Sequence, residues 1–198
     1  MWRPYFQTHA VGALYYLVLL TWYGAEIIMF FRQLGWRRGA TRAIEWRFWL
    51  FFAVSVAAVV TMLFLAPSIA PAADIGHPGI AFAVGMVLLT TGVTVRLWSF
   101  WALGQYFTFT VKISPDQPVV TAGPYRVLRH PGYAGGMLAM IGFGVLWGNW
   151  VSFAVIAVLW LVIIIWRIRV EERALLAALG DRYRSYAVHH KRLIPLVW

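Results

Sequence analysis

The chain consists of long apolar stretches separated by short clusters of basic or turn-forming residues. A helix that crosses a hydrocarbon core of about 30 Å needs roughly 20 largely apolar residues. Stretches of this kind predict five membrane-spanning segments, at 10–31, 46–65, 79–102, 133–146 and 150–166. The last two are short and are joined only by residues 147–149, so we expect them to form one tight helical hairpin.

The composition agrees with a membrane protein. The 198 residues are 62% hydrophobic and only 12% charged, which is too apolar for a water-soluble domain of this size. The chain has no cysteine, which excludes disulfides and a cysteine nucleophile. The net charge of +10 suits either a nucleic acid or a membrane surface, so the positions of the charges must distinguish the two.

The basic residues are concentrated in three of the predicted connections. Of the 17 Lys and Arg residues, 15 follow the first, third or fifth segment, and none lies in 66–78 or 147–149. This asymmetry marks the cytoplasmic side of a membrane. We therefore predict a multi-pass integral membrane protein with its N-terminus outside and its C-terminus in the cytoplasm. Its membrane would be the inner membrane if the source is bacterial, and no nucleic-acid partner is predicted.

Two charges lie at membrane depth. Glu26 is inside the first segment and Arg96 is inside the third. Because a lone charge there costs several kcal/mol, we expect the two to pair with each other or to contact a polar cavity. His189 and His190 are adjacent in a basic run, and adjacent side chains on a helix do not face each other, so no metal site is predicted.

The connection before the hairpin carries candidate chemistry. The alternation over 106–112 predicts extended chain, and Pro131 suits the first turn of a helix because that turn does not use its missing N–H. Arg129 and His130 would then lie at a helix N-terminus, which favours a carboxylate or phosphate ligand. The alternative interpretation is that Arg129 binds lipid headgroups and His130 only caps the helix.

Glycines are frequent in the fourth segment. Gly132 and Gly136 form a small-xxx-small pair that lets a backbone or a ligand approach closely. For Gly142 and Gly144 we favour plain helix packing.

The helix of the fifth segment is predicted to continue beyond residue 166 until Gly180 interrupts or caps it. Its apolar positions form an amphipathic stripe that would lie on the membrane or fold over the loops. The stripe consists of Leu175, Leu176, Leu179, Tyr183 and Tyr186.

Two adjacent acids follow the fifth segment. Glu171 lies one helical turn from Arg167, and Glu172 lies one turn from Arg169. A surface ladder of salt bridges, worth a few tenths of a kcal/mol per pair, is one interpretation. A binding role is the other.

Several motifs, taken in order, resemble a known family: GPYRVLRHPGYAG, a hydrophobic hairpin, RIRVEE, LGDRYRSY and RLIP. They resemble the isoprenylcysteine carboxyl methyltransferase family and, more broadly, the phospholipid methyltransferase-like membrane enzymes. The resemblance covers 103–195. It implies an all-α integral membrane protein in which a cytosolic loop and a C-terminal helix form a cofactor pocket. Three N-terminal helices would occupy 1–102, and the catalytic region would occupy 103–198.

The resemblance also implies an activity, that of an S-adenosylmethionine-dependent methyltransferase with S-adenosylhomocysteine as product. The acceptor would be lipid-like or isoprenoid-bearing, with a carboxylate as the first choice. The implied catalytic residues are Arg167, which would hold the acceptor carboxylate, and Glu171. By position, the cofactor contacts fall on Gln117, Pro118, Val119, Val120, Tyr125, His130, Pro131, Gly132, Tyr133 and Glu171.

Other interpretations stay open. Tyr125, Tyr133 and 194–195 offer faces for the adenine or the sulfonium of the cofactor. A phospholipid N-methyltransferase would need a base for its amine, for which Glu172 and His130 are the candidates. A sterol-type membrane reductase using NADPH and a non-enzymatic transporter or scaffold are further alternatives.

Overall fold

The computed structural model describes residues 5–8, 10–34, 41–42, 53, 56–57, 60–61, 65, 68–108 and 112–195. Its helices are α1 (Tyr5–Thr8), α2 (Gly12–Leu34), α3 (Pro78–Leu103), α4 (Pro131–Leu146), α5 (Trp150–Leu179) and α6 (Asp181–His189). Short 3₁₀ turns occur at Pro71–Ala73, Gly104–Tyr106 and Gly123–Arg126. The two-residue strands β1 (Thr41–Arg42) and β2 (Lys112–Ile113) pair antiparallel. Most of the second predicted span, 46–65, lies outside the described residues.

Within the described ranges, three helices are long and apolar enough to cross a membrane: Gly12–Arg32, Pro78–Tyr106 and Trp150–Leu179. Helix α4 is also apolar but has only 16 residues, which makes it about 24 Å long. Large apolar side chains such as Leu20, 71% exposed, and Ile28, 60% exposed, cover the outer face of α2. The predicted class, an all-α multi-pass membrane protein, is confirmed.

Helices α3 and α4 approach each other closely through glycine. A Cβ atom added to Gly92 would lie 2.3 Å from the Ala139 nitrogen, and one added to Gly142 would lie 2.4 Å from the Leu89 nitrogen. Distances this short leave no room for any side chain, since real Cβ atoms do not come so near to backbone atoms. The prediction that Gly142 serves helix packing is confirmed.

Residues 147–149 connect α4 to α5 as a tight hairpin, as predicted. The Asn149 side chain accepts hydrogen bonds from the backbone N–H groups of Val151 and Ser152 at 3.0 and 3.2 Å, which caps the start of α5. Its amide nitrogen donates to the Ala70 carbonyl at 3.1 Å. The loop before α3 is thereby fastened to the turn of the hairpin.

Helix α5 is longer than the hydrocarbon core of a bilayer is thick. Its 30 residues span about 45 Å, so its C-terminal part, with Glu171 and Glu172, projects beyond a hydrocarbon core of about 30 Å. The helix continues past residue 166 and ends before Gly180, whose φ of +55° is a conformation that favours glycine. Both features were predicted.

The tail folds back over the loops, which is one of the two arrangements predicted for its apolar stripe. Leu179, Tyr183 and Tyr186 are buried together with Ile113 of β2. Leu176, also part of the predicted stripe, is 40% exposed and lies outside this buried cluster. A helical stripe can bury only the positions that its partner surface reaches.

The chain after α6 runs beside the residues that precede α4. The N–H groups of Arg129 and His130 donate to the carbonyls of Lys191 and Arg192 at 2.8 and 3.0 Å. The prediction of extended chain over 106–112 is wrong at Tyr106, which belongs to a 3₁₀ turn, and residues 109–111 lie outside the described ranges. Gly104, with a φ of +52°, lets the chain turn sharply out of α3.

Candidate active site

A cavity of about 580 Å³ lies among the helices and beneath the tail. Along α4 and α5 its lining changes in character. Met140, Phe143, Ile156 and Leu159 line it at membrane depth. Nearer the start of α4 and the C-terminal half of α5, the lining is polar and includes His130, Tyr133, Arg167 and Glu171. The cavity therefore offers charged groups at one end and a hydrocarbon-like surface at the other.

The Tyr133 hydroxyl connects the two predicted catalytic residues. It accepts a hydrogen bond from Arg167 Nε at 2.5 Å and donates one to Glu171 Oε2 at 2.5 Å. The Arg167 guanidinium also lies 5.5 Å from the centre of the Tyr133 ring. Because Tyr133 belongs to the first turn of α4 and the other two belong to α5, this chain of contacts fixes the two helices relative to each other where the lining is polar.

His130 lies beside both acids. Its ring is buried, with Nδ1 4.0 Å from Glu171 Oε1 and Nε2 3.3 Å from Glu172 Oε1. Although His130 occupies the N-cap position of α4, its side chain makes no capping hydrogen bond. The interpretation that His130 only caps the helix is therefore wrong. His130 and Glu171 line the same cavity.

Glu172 is the centre of a separate cluster of charges. Its carboxylate accepts hydrogen bonds from Arg129 Nη1 at 2.7 Å and from Arg192 Nε at 2.9 Å. Arg129 also donates through Nε to the His190 carbonyl at 2.9 Å. The cluster ties the turn before α4, helix α5 and the tail together. Arg129 therefore faces protein and not lipid headgroups, and Glu172 is buried in the protein instead of joining a surface ladder with Arg169.

Nine of the ten predicted cofactor contacts line the cavity, namely Gln117, Pro118, Val119, Val120, Tyr125, His130, Gly132, Tyr133 and Glu171. Pro131 is buried in the first turn of α4 and is not among the lining residues. Ile194 is 50% exposed, and neither it nor Pro195 lines the cavity.

Two tyrosines, Tyr125 and Tyr186, line the polar end of the cavity. Burial, together with the nearby Glu171 carboxylate, raises the pKa of Tyr125 well above its usual range. Burial also raises the pKa of Tyr186 to about 12. Both phenols are therefore neutral at physiological pH, and Tyr186 donates to the carbonyls of Tyr125 and Leu128 at 2.8 and 3.2 Å.

Some lining residues were not anticipated from the sequence. Met140, Phe143 and Trp160 are apolar residues within apolar segments, so nothing in the pattern separates them from residues that face lipid. The one usable signal was charge at membrane depth. Glu26 and Arg96 line the cavity and pair with each other, so their predicted pairing is confirmed.

The arrangement of helices matches that of a known membrane enzyme. The solved structure of the eukaryotic intramembrane Ras methyltransferase ICMT, an isoprenylcysteine carboxyl methyltransferase, superposes with a TM-score of 0.63 at 23% sequence identity. The match covers 74% of this chain and 52% of that chain. This chain therefore shares the fold of that protein.

Sequence comparison identifies the family. The family model for phospholipid methyltransferases matches residues 80–182, and the chain belongs to this family. Protein-S-isoprenylcysteine O-methyltransferase A of Arabidopsis thaliana is 31% identical over 120 residues, covering 57% of this chain and 58% of that protein. The protein-S-isoprenylcysteine O-methyltransferase of Schizosaccharomyces pombe is 32% identical over 117 residues, covering 58% and 49%. The matches span about half the length of these relatives.

Proposed function

We propose that the chain is an integral-membrane methyltransferase that uses S-adenosylmethionine to methylate a carboxylate on a lipid-like or isoprenoid-bearing acceptor. The observation that carries the proposal is the Tyr133 hydroxyl, bonded to both Arg167 and Glu171, at a wall of a cavity that continues as an apolar space. Relatives that match the chain include protein-S-isoprenylcysteine O-methyltransferases of Arabidopsis thaliana and Schizosaccharomyces pombe.

The polar lining fits the chemical groups of S-adenosylmethionine, which are an ammonium, a carboxylate, a sulfonium and an adenine. Glu171, whose side chain is 28% exposed, offers a carboxylate to the ammonium. His130 offers a ring N–H to the cofactor carboxylate, and the rings of Tyr125 and Tyr133 offer faces to the adenine or the sulfonium. A cavity of about 580 Å³ also falls within the range of about 300–1,000 Å³ that is typical of small-molecule sites.

In this proposal Arg167 binds the acceptor carboxylate and orients it. The bound cofactor supplies an electrophilic methyl group, so the protein has mainly to orient two reactants. The hydrogen bond to Tyr133 fixes the direction of the Arg167 guanidinium, which can hold an acceptor carboxylate by charge-assisted hydrogen bonds. A cavity that excludes water strengthens this attraction.

The charges around the cavity favour a carboxylate over an amine acceptor. A carboxylate is already a nucleophile, whereas a phospholipid amine must first lose a proton to a base. Glu172, one candidate base, is occupied by two guanidinium groups and is not among the cavity-lining residues. His130, the other candidate, lines the cavity, but its Nε2 is engaged by Glu172 Oε1 at 3.3 Å. An acceptor carboxylate held by Arg167 needs no such base.

The apolar lining suits the acceptor's hydrocarbon chain. Helix α2 contributes Trp22 and Tyr23, and α5 contributes Leu159, Trp160 and Ile163. An isoprenoid or acyl chain that leaves the bilayer for this space exchanges one apolar environment for another. Its binding therefore costs little desolvation, and shape complementarity with the lining selects the chain.

The same proposal places the C-terminus in the cytoplasm and the N-terminus outside. Contacts at the two ends of the hairpin support this grouping of the connections. At one end the Ile75 N–H donates to the Gly148 carbonyl, and at the other end 128–130 lie beside 190–192. The basic tail is then on the positive-inside face. We assign the catalytic region to 103–198 and the supporting helices to 1–102, in the inner membrane if the source is bacterial.

Calorimetric titration of S-adenosylhomocysteine into the purified protein in detergent tests the cofactor assignment. Glu171→Gln and His130→Ala should each abolish measurable binding, while Asp181→Asn, which changes an exposed acid, should bind like the wild type. Affinity that is undiminished in the first two variants would contradict the assigned contacts.

Transfer of labelled methyl from S-adenosylmethionine tests the acceptor. An N-acetylated, S-prenylated cysteine should be labelled, and its carboxamide analogue and phosphatidylethanolamine vesicles should not. Loss of a charge-assisted hydrogen bond costs about 1.5–3 kcal/mol, so Arg167→Gln should raise the KM for the prenylated cysteine roughly ten- to a hundredfold with a smaller effect on cofactor affinity. Equal losses of both affinities would refute the role of Arg167, and labelled phosphatidylethanolamine would identify an N-methyltransferase.

A further inference from the structure

An ion pair at membrane depth joins three helices beside the candidate active site. Arg96 of α3 donates through Nε to Glu26 of α2, and through Nη1 to the Gly132 carbonyl of α4 at 3.0 Å. The Trp22 indole N–H donates to the same Glu26 oxygen at 3.0 Å. The side chains of Arg96 and Glu26 are only 15% and 17% exposed. Arg96 thus pairs with Glu26 through Nε and binds the start of α4 through Nη1.

Gly136 makes room for the Arg96 guanidinium. A Cβ atom added to Gly136 would lie 3.3 Å from Arg96 Nη1, which is tighter than nearly all real contacts of this kind. The guanidinium also lies 4.7 Å from the centre of the Phe100 ring. Of the Gly132 and Gly136 pair, which was expected to admit a backbone or a ligand, Gly136 admits the side chain of Arg96 and Gly132 faces Ser99.

We propose that Arg96 is a positioning residue for the first turn of α4 and that Glu26 keeps it in place. The inference rests on the proposed function. Gly132 directly precedes Tyr133, whose hydroxyl joins Arg167 to Glu171, so the bond to the Gly132 carbonyl controls where that hydroxyl lies. A displacement of about 1 Å in such an array can reduce turnover by roughly a hundredfold.

The burial of the Arg96–Glu26 ion pair fits a role in positioning α4 better than a role in stability alone. A buried ion pair contributes little net stability, because the cost of desolvation offsets much of the attraction. Breaking it, in contrast, leaves an uncompensated charge within the membrane. Glu26 therefore makes the otherwise costly Arg96 tolerable, and Arg96 provides a directional hydrogen bond to a backbone atom that a hydrophobic contact does not provide.

Two substitutions disturb this contact from opposite sides. Gly136→Ala presses on the Arg96 guanidinium, and Arg96→Gln removes its charge. Gly24→Ala is the matched control, because a Cβ atom at Gly24 meets nothing within 4 Å. Hydrogen exchange measured by mass spectrometry should be faster over 131–136 in the first two variants, with the rest of α4 and α5 unchanged. For labelled methyl transfer, kcat should fall about tenfold or more, with a smaller change in the acceptor KM, and Arg96→Lys should restore part of the loss seen in Arg96→Gln.

Hydrogen exchange separates this inference from the proposed function, since it requires no turnover. Faster exchange confined to the first turn of α4 supports the positioning role even if the wild type binds no S-adenosylhomocysteine, a result that would remove the methyltransferase proposal alone. The positioning role is overturned if exchange over 131–136 matches the Gly24→Ala control. It is also overturned if exchange rises equally throughout α3, α4 and α5, because that pattern indicates only a loss of stability.

Discussion

Glu172→Gln is expected to loosen the tail and lower the free energy of unfolding. The side chains of Glu172 and Arg129 are 10% and 13% exposed, whereas that of Arg192 is 37% exposed. Breaking a buried pair by removing one partner costs about 3–5 kcal/mol, while a pair as exposed as the one with Arg192 adds at most about 1 kcal/mol. The buried contact therefore dominates, and we expect a total loss of about 3–5 kcal/mol.

The assay is unfolding of the detergent-solubilised protein by sodium dodecyl sulfate, followed by tryptophan fluorescence. Asp181→Asn is the matched control, because Asp181 pairs with Arg184 in a salt bridge whose side chains are 88% and 70% exposed. The control should lose no more than about 1 kcal/mol. Trypsin should also cleave after Lys191 faster in Glu172→Gln than in the control. Equal stability and equal cleavage in the two variants would refute the reasoning that the Glu172 cluster holds the tail.

Three further predictions follow from single contacts. Gly92→Ala should destabilise the protein by at least about 1–3 kcal/mol, measured by the same titration, because the new Cβ atom meets the backbone of α4; wild-type stability would contradict that packing. Tyr186→Phe should lower the free energy of unfolding by about 1 kcal/mol. The pKa of Tyr186 is about 12 in the folded protein against an ordinary 10.0. The stability that its hydroxyl contributes should therefore persist below pH 10 and disappear as the pH approaches 12. Tyr133→Phe should lower the affinity for S-adenosylhomocysteine in calorimetry, because Glu171 loses its hydroxyl donor; unchanged affinity would separate Tyr133 from the cofactor site.

Features that depend on local chemistry were well predicted from the sequence. Gly180 ends α5 because a glycine tolerates a positive φ at a helix end, and Pro131 begins α4 because the first turn does not use its missing N–H. The pairing of Glu26 with Arg96 followed from the cost of a lone charge in hydrocarbon.

Other features that depend on which surfaces meet were not predicted. The sequence places Arg169 one helical turn from Glu172, yet Glu172 binds Arg129 and Arg192, which are 43 and 20 residues away. Leu176 has the spacing of a buried residue but remains exposed. Periodicity identifies a helical face, but it does not identify the partner that covers this face or how far that partner extends.

By itself the sequence determined that the chain enters a membrane and where its helices turn, because hydrophobic length, charge asymmetry, proline and glycine act on neighbouring residues through local physics. Only the tertiary structure decided that Glu171 faces the cavity while Glu172 binds the tail, and that Arg96 reaches the start of α4. The two acids are adjacent and chemically alike. Their surroundings differ because successive residues on a helix point about 100° apart, towards different parts of a packed assembly.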